Sequence, residues 1–417
     1  MSMLKKNFAA VLVIIVVFLA FISFLALRTA EAPTTTTSGG SNTIAIGTVS
    51  KSCANSGVGR LCASQDSQIK TFFGSGLYWV FTSSATNVVC QTSPDAATWS
   101  SATAIVDAPP VEDENTTFSA YYNSTTNIMY YAATWPSANE FQVRWGTLSS
   151  SGCGSISWAV SKVNHTSTYT MPSVPTITQD SSGDIWVSFG SRQSTTQYDE
   201  VWECATPVAS CTWTLNHSFT GTSHHSQFFG ILNNMGSNHL SIALGCTGDT
   251  PTCGPALVNV TTWSGSAWGP LITIPTNKMY ADSGSVISVG NSLYAAFSTS
   301  TDSVDFWHCT YPCTSITQST FDTGIVYGVS LSASSNTGSP TLWLTAFAAN
   351  KTTLFIQNST NSGSTWGSPI IVEKGAYWSH GNDMNAMQYS NGNELGIMYG
   401  TGTGIPYLVN YAVVHLH

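Results

Sequence analysis

Gly290-Asn-Ser-Leu-Tyr-Ala-Ala-Phe297 decides the fold of this chain. A turn of small polar residues runs into a short apolar-aromatic strand, and the same unit occurs six more times. The other copies are Gly74-Ser-Gly-Leu-Tyr-Trp-Val-Phe81, Thr125-Thr-Asn-Ile-Met-Tyr-Tyr131, Asp180-Ser-Ser-Gly-Asp-Ile-Trp-Val-Ser-Phe189, Gly236-Ser-Asn-His-Leu-Ser-Ile-Ala243, Gly338-Ser-Pro-Thr-Leu-Trp-Leu-Thr-Ala-Phe347 and Asn391-Gly-Asn-Glu-Leu-Gly-Ile-Met-Tyr399. The first apolar residue of each copy falls at Leu77, Ile128, Ile185, Leu240, Leu293, Leu342 and Leu395, so the spacings are 51, 57, 55, 53, 49 and 53.

A second marker recurs further along most units. Trp99, Trp158, Trp213, Trp268 and Trp366 each follow a polar turn, with Ile316 in that place in the fifth unit. A unit of this length has room for four short strands, and no amphipathic helical pattern intervenes after residue 42. Four-stranded units repeated about an axis are the blades of a β-propeller. The expectation is therefore all-β, with seven blades; six and eight are the alternative counts. The seventh unit has three clear strands and ends at Tyr407 to His415, while Thr43-Ile-Ala-Ile-Gly-Thr-Val49 is a spare strand. It is expected to complete the last blade and close the ring, which removes the exposed sheet edges.

Before the repeats, Lys5 and Lys6 precede an apolar run from Phe8 to Leu27 without a charge. Twenty helical residues rise about 30 Å, the thickness of a bilayer core. Residues 1–7 read as a cytoplasmic stub, 8–27 as a signal-anchor helix, 28–41 as a Thr/Ser/Gly linker and 42–417 as an extracellular propeller at the cell surface. A cleaved signal peptide ending near Ala30-Glu31-Ala32 is the alternative. Charged residues make up only 8% of the chain and the net charge is −9, with 12 Lys and Arg. That balance argues against nucleic acid as a partner. Seven glycosylation sequons, at Asn115, Asn123, Asn164, Asn216, Asn259, Asn350 and Asn358, fit an exported glycoprotein.

Ten cysteines in an exported chain imply disulfides rather than a metal site. Spacing suggests the local pairs Cys53–Cys62, Cys204–Cys211, Cys246–Cys253 and Cys309–Cys313, which leaves Cys90 for Cys153. No cofactor is implied.

Ser359-Thr-Asn361-Ser-Gly363-Ser-Thr365-Trp366 resembles the Asp-box, or BNR repeat, Ser-X-Asp-X-Gly-X-Thr-Trp, with Asn361 in place of the Asp. Ser93-Pro-Asp95-Ala-Ala-Thr98-Trp99 is similar to a copy one residue short. The resemblance is to propellers of the sialidase superfamily. It implies a structural role for these residues, folding the turn between the third and fourth strands. Sialidases themselves clamp a substrate carboxylate with three arginines, and after residue 42 this chain has only Arg60, Arg144 and Arg192. Arg144 falls within an expected third strand and Arg192 in an expected loop.

Loops entering the innermost strands, and loops from strand two to strand three, share one face of a propeller, where ligands are expected. Candidate ligand residues there are Glu112, Trp135, Tyr169, Arg192, His224, His225, Tyr280, Tyr377 and Trp378. Aromatic rings would stack on sugars. Asp113, Asp282, Asp383 and His380 are the candidates for acid–base chemistry across a glycosidic bond. Tyr198, Asp199, Glu200 and Asp305 are placed in the loops of the same face. The function expected first is a surface module binding glycans or cell-envelope proteins. A glycoside hydrolase or lyase of sialidase-like architecture is the alternative, and an assembly role without a small ligand is a third.

Overall fold

Strand Ile185–Gln193 shows how the units fold: Ile185, Val187 and Phe189 enter one buried layer and Trp186 the next. Successive residues of a strand point to opposite faces of its sheet, and here both faces are covered. The computed structural model describes residues 34–37, 43–53, 68–83, 88–105, 118–135, 138–159, 163–205, 211–221, 228–246, 257–275, 279–299, 303–322, 325–348, 352–375, 384–401 and 407–416. They form seven sheets, six of them antiparallel meanders ordered from the inside outward and the seventh assembled from both ends of the propeller. These are the blades of a seven-bladed β-propeller. Blade three is typical, with strands Thr170–Gln179, Ile185–Gln193, Thr196–Cys204 and Trp213–Gly221.

The core is not one mass but seven apolar layers, one between each pair of neighbouring blades. Phe81, Phe118 and Tyr131 belong to the layer between blades one and two, and Tyr294, Phe306 and Leu344 to that between five and six. Met398, Tyr411 and Tyr78 fill the layer that joins blade seven to blade one.

Ring closure follows the sequence expectation. Thr43–Cys53 pairs antiparallel with Tyr407–His415, Thr43 lying opposite His415. The first long strand of the propeller thus becomes the fourth strand of the last blade. Thr34–Thr37, inside the stretch read as linker, adds a further outermost strand to that sheet. Among the described residues no helix is long and apolar enough to cross a membrane, and residues 8–27 lie outside them.

The outer tryptophans act between blades. Trp99 meets Tyr411, Trp213 meets Phe141, Trp268 meets Phe219 and Trp366 meets Phe306, all edge-on, with ring centroids 5.1–5.5 Å apart. In each pair the tryptophan reaches back to the preceding blade. Ile316 takes this place in blade five and packs on the apolar layer between blades four and five. Trp158 departs from the pattern: it stacks edge-on with Tyr131 of its own blade and lies under the Arg144 guanidinium.

The two turns that resemble Asp-boxes fold alike. Asp95 accepts hydrogen bonds from the Ser93 hydroxyl at 2.8 Å and the backbone N–H groups of Ala97 and Thr98 at 2.9 and 2.8 Å. Burial tends to raise its carboxyl pKa, but these donors outweigh it and hold it below the usual range. Asn361 accepts from Ser359 and from the Thr365 N–H, each at 2.9 Å. Gly363 has φ +82, and a Cβ there would lie 2.0 Å from Phe306 of the preceding blade.

Three expected disulfides are present: Cys90–Cys153, Cys204–Cys211 and Cys309–Cys313. The first ties blade one to blade two. The side chains of Cys53, Cys62, Cys246 and Cys253 lie outside the described residues.

Candidate functional site

Inner strands line the propeller axis, and hydrogen bonds join them at every junction. Going round, Ala120 N–H donates to Ile69 O, Asn123 Nδ2 to Gln179 Oε1, and Asn234 Nδ2 to Gln179 O. Ser288 Oγ donates to Asn234 O, Gly290 N–H to Asn336 O, Ala333 N–H to Gln388 O, and Lys70 N–H to Asn385 Oδ1. Three more bonds cross the axis between blades that are not neighbours. Gln68 Nε2 donates to Pro175 O at 2.9 Å, Tyr389 Oη to Ser288 O at 2.7 Å, and Gln388 Nε2 to Asn233 Oδ1 at 3.3 Å.

This plug leaves two adjoining cavities at the mouth of the channel. One, of about 430 Å³, is lined by Phe72, Phe73, Gly74, Ser75 and Asn391 among others. The second, of about 230 Å³, runs over Tyr121, Ile177, Leu232, Asn233 and Asn234. Ile69, Tyr122, Ser124, Asn336, Gln388 and Tyr389 line both. Among the described residues, every lining side chain is uncharged: aromatic rings, amides, hydroxyls and a few aliphatics.

The rings in this wall are fixed. Tyr122 stacks on Phe72 with centroids 4.8 Å apart, and its hydroxyl donates to Asn127 Oδ1 at 3.1 Å. Gly74 makes room for it, since a Cβ there would lie 2.7 Å from the Tyr122 Cζ. Burial pushes the Tyr121 hydroxyl up to about 12, against a smaller opposing effect of its hydrogen bond with Asn234. It stays a neutral donor at any physiological pH. Asn233 is only 4% exposed, and its Nδ2 has no partner among the described residues.

The opposite face, where the sequence placed the site, is only partly described. Glu112, Asp113, His224, His225, Tyr377, Trp378, His380 and Asp383 lie outside the described residues. Tyr280 and Asp282, expected in a loop, belong to the inner strand Met279–Val289 of blade five; their side chains lie outside the description. Trp135, expected among the ligand residues, is buried rather than set out on this face. It ends the strand Ile128–Trp135 and is 8% exposed, packed with the layer between blades one and two.

Arg192 is exposed, as expected, but it sits in the strand Ile185–Gln193 opposite Gln197 rather than in a loop. Tyr198, Asp199 and Glu200 likewise belong to the strand Thr196–Cys204, and Asp305 to Ser303–Thr310. Polar residues in these strands made them look like loops. Asp199, Glu200 and Asp305 are buried. Glu200 accepts from Thr168 N–H at 2.8 Å, Tyr169 N–H at 3.1 Å and Trp202 Nε1 at 3.0 Å. It thereby fixes the loop that carries Tyr169, whose ring stacks on Tyr198 at 4.0 Å. Among the described residues no group of three His, Cys, Asp or Glu side chains converges as a metal site.

The channel-mouth cavities were missed because their residues carry no charge and come from most of the blades around the ring. Their only trace in the sequence is the repeated Asn/Ser-rich turn, which served there as a fold marker.

No family model matches the sequence, and no curated protein matches it. Solved structures resemble it in fold. The BP39L lectin from Burkholderia pseudomallei is 12% identical with TM-score 0.59, over 84% of this chain and 96% of that one. The PL25 ulvan lyase, solved with -[GlcA(1-4)Rha3S]- bound, is 8% identical with TM-score 0.52, over 82% and 92%. A Trypanosoma rangeli sialidase is 11% identical with TM-score 0.38, over 69% and 53%. At these identities the likeness concerns the propeller alone.

Proposed function

We propose that this protein is a non-catalytic glycan-binding propeller, displayed outside the cell on a signal-anchor helix at residues 8–27. Its outer turns at Ser93–Trp99 and Ser359–Trp366 are degenerate Asp-boxes with a purely architectural role. The observation that carries the reading is the channel mouth, where fixed aromatic rings stand beside amides and hydroxyls with no charge among them. Sugars present both apolar C–H faces and hydroxyls, so such a wall matches both parts of their surface. A lectin among the propellers of similar fold is consistent with this use of the scaffold.

The hydrolase or lyase alternative would draw on Asp113, Asp282, Asp383 and His380. None of the residues lining the described cavities is an acid or a histidine. The full-length chain, applied to a glycan array and in parallel to a panel of fluorogenic glycosides, tests the reading. Binding without turnover is the expected result. Turnover abolished by Asp113→Asn or Asp383→Asn would establish the enzyme instead.

A further inference from the structure

We infer that the channel mouth selects the uncharged end of a glycan, holding two consecutive neutral sugar units with the terminal one over Asn233. The inference rests on the glycan-binding reading above and adds to it a site, a ligand charge and an orientation.

The charge follows from the lining. A carboxylate or sulfate taken out of water needs a cation or several donors to replace its hydration. Among the described residues no side chain lining either cavity is Lys, Arg or His, and Lys70, between the lining residues Ile69 and Thr71, is buried and directed onto the Phe118 ring at 5.0 Å. An anionic sugar would therefore be desolvated without compensation, while a neutral one needs only amide and hydroxyl partners.

The number of units follows from the shape. The two cavities share a wall made by Tyr122, Ser124, Asn336, Gln388 and Tyr389. The larger is within the range of small-ligand sites, roughly 300–1,000 Å³, and the smaller falls just below it. A chain of sugars thus has one full compartment and a smaller adjoining one for its end.

The orientation follows from hydrogen-bonding capacity. In the smaller cavity Asn233 Oδ1 already accepts from Gln388, whereas its buried Nδ2 lacks an acceptor. Buried amide donors in folded proteins are almost always satisfied. A hydroxyl oxygen of a terminal sugar supplies the acceptor; an ordered water would do the same without any ligand. The hydroxyls of Tyr122 and Tyr389 are engaged by Asn127 and Ser288, so these two present their rings rather than their oxygens.

The test compares the full-length wild-type chain with Ser124→Trp and Asn233→Asp on an array holding neutral, sialylated and uronate-terminated glycans. Ser124 is exposed on its turn and lines both cavities, so an indole there fills them without entering the core. Asn233→Asp keeps the acceptor and removes the donor. Wild type is expected to bind neutral termini, and both variants to lose at least about tenfold in affinity, Ser124→Trp with a thermal midpoint close to wild type and Asn233→Asp with a lower one, because its carboxylate is buried among uncharged groups. If neutral glycans bind but Ser124→Trp binds as wild type, the site lies elsewhere and this inference falls while the glycan-binding reading stands. Preference for sialylated or uronate termini overturns it in the same way. If the wild type binds no glycan at all, the glycan-binding reading falls and takes the inference with it.

Discussion

Asp199 of blade three accepts the backbone N–H of Gly230 in blade four at 2.9 Å, with the carboxyl wholly buried. Ser188 holds the same carboxyl at 2.8 and 2.9 Å. Gly230 has to be glycine, because a Cβ would stand 2.3 Å from Ile242 and 2.7 Å from Asp199. Burial pushes the Asp199 pKa well above the carboxylate range, against the opposing effects of the Ser188 and Gly230 bonds. Folding therefore favours its protonated form. Stability is greatest below the unfolded carboxylate value of about 3.9 and declines as pH rises toward the folded value. Asp199→Asn mimics the protonated acid and is expected to flatten that decline in thermal midpoints measured from pH 4 to 8. Asp199→Ala leaves the Gly230 N–H buried without a partner and is expected to cost about 1–3 kcal/mol. An unchanged midpoint in the alanine variant would contradict the staple.

Trp366 and Phe306 form one of four matching edge-on contacts between neighbouring blades. Trp366→Ala is expected to destabilise the propeller by about 3 kcal/mol or more. A double-mutant cycle with Phe306→Leu is expected to give a coupling energy of about 0.5–1.5 kcal/mol beyond the buried area. Urea unfolding of the four chains measures it, and a coupling of zero would reduce the contact to incidental packing.

The disulfides differ in how much chain they close. Cys90 and Cys153 are 63 residues apart, Cys309 and Cys313 only 4. Loop-closure entropy puts the first at about 4 kcal/mol and the second at about 2 kcal/mol. The paired serine variant Cys90→Ser with Cys153→Ser is thus expected to lose more stability than Cys309→Ser with Cys313→Ser. Equal losses would show that strain or local packing, rather than chain closure, governs both.

Sequons differ in whether their amide is available. Asn123 Nδ2 donates to Gln179 at 2.9 Å inside the channel mouth, and Asn216 Nδ2 donates to Glu203 at 2.8 Å while Trp268 Nε1 donates to its Oδ1. A glycan would replace one hydrogen of either Nδ2 and crowd its bond to Gln179 or Glu203. Asn259 accepts from Thr273 through its oxygen at 2.8 Å, which leaves that acceptor bond compatible with a glycan on the nitrogen. Glycopeptide mass spectrometry of the chain secreted from a glycosylating host is expected to find Asn259 modified and Asn123 and Asn216 bare. Full occupancy at Asn123 would also close the proposed sugar site.

Fold-level features were legible because they repeat. Seven turn-and-strand units stand at nearly even spacing, the recurring outer tryptophan marks the blade interface, and Thr43 to Val49 is a strand without a partner in its own neighbourhood. Single polar side chains were not legible in this way. Asp199 and Glu200 look like loop residues by composition, yet the strand pairing buries them against Ser188, Gly230 and Trp202. Trp135 looks like a binding platform, and only the neighbouring blade makes it core. The channel mouth gathers Tyr122, Asn233 and Gln388 from three blades, and no local pattern foretells such a meeting.

Thr48 Oγ1 donates to Asn410 Oδ1 across 362 positions of sequence, in the blade that the start and end of the propeller build together. During synthesis the first long strand of the propeller is made early and must wait for its partner until nearly the whole chain has emerged. Until then it is an unpaired edge, able to join another chain. Premature termination anywhere before Tyr407 would therefore leave an open arc of blades exposing this waiting strand, and its products are expected to aggregate rather than to persist as smaller working propellers.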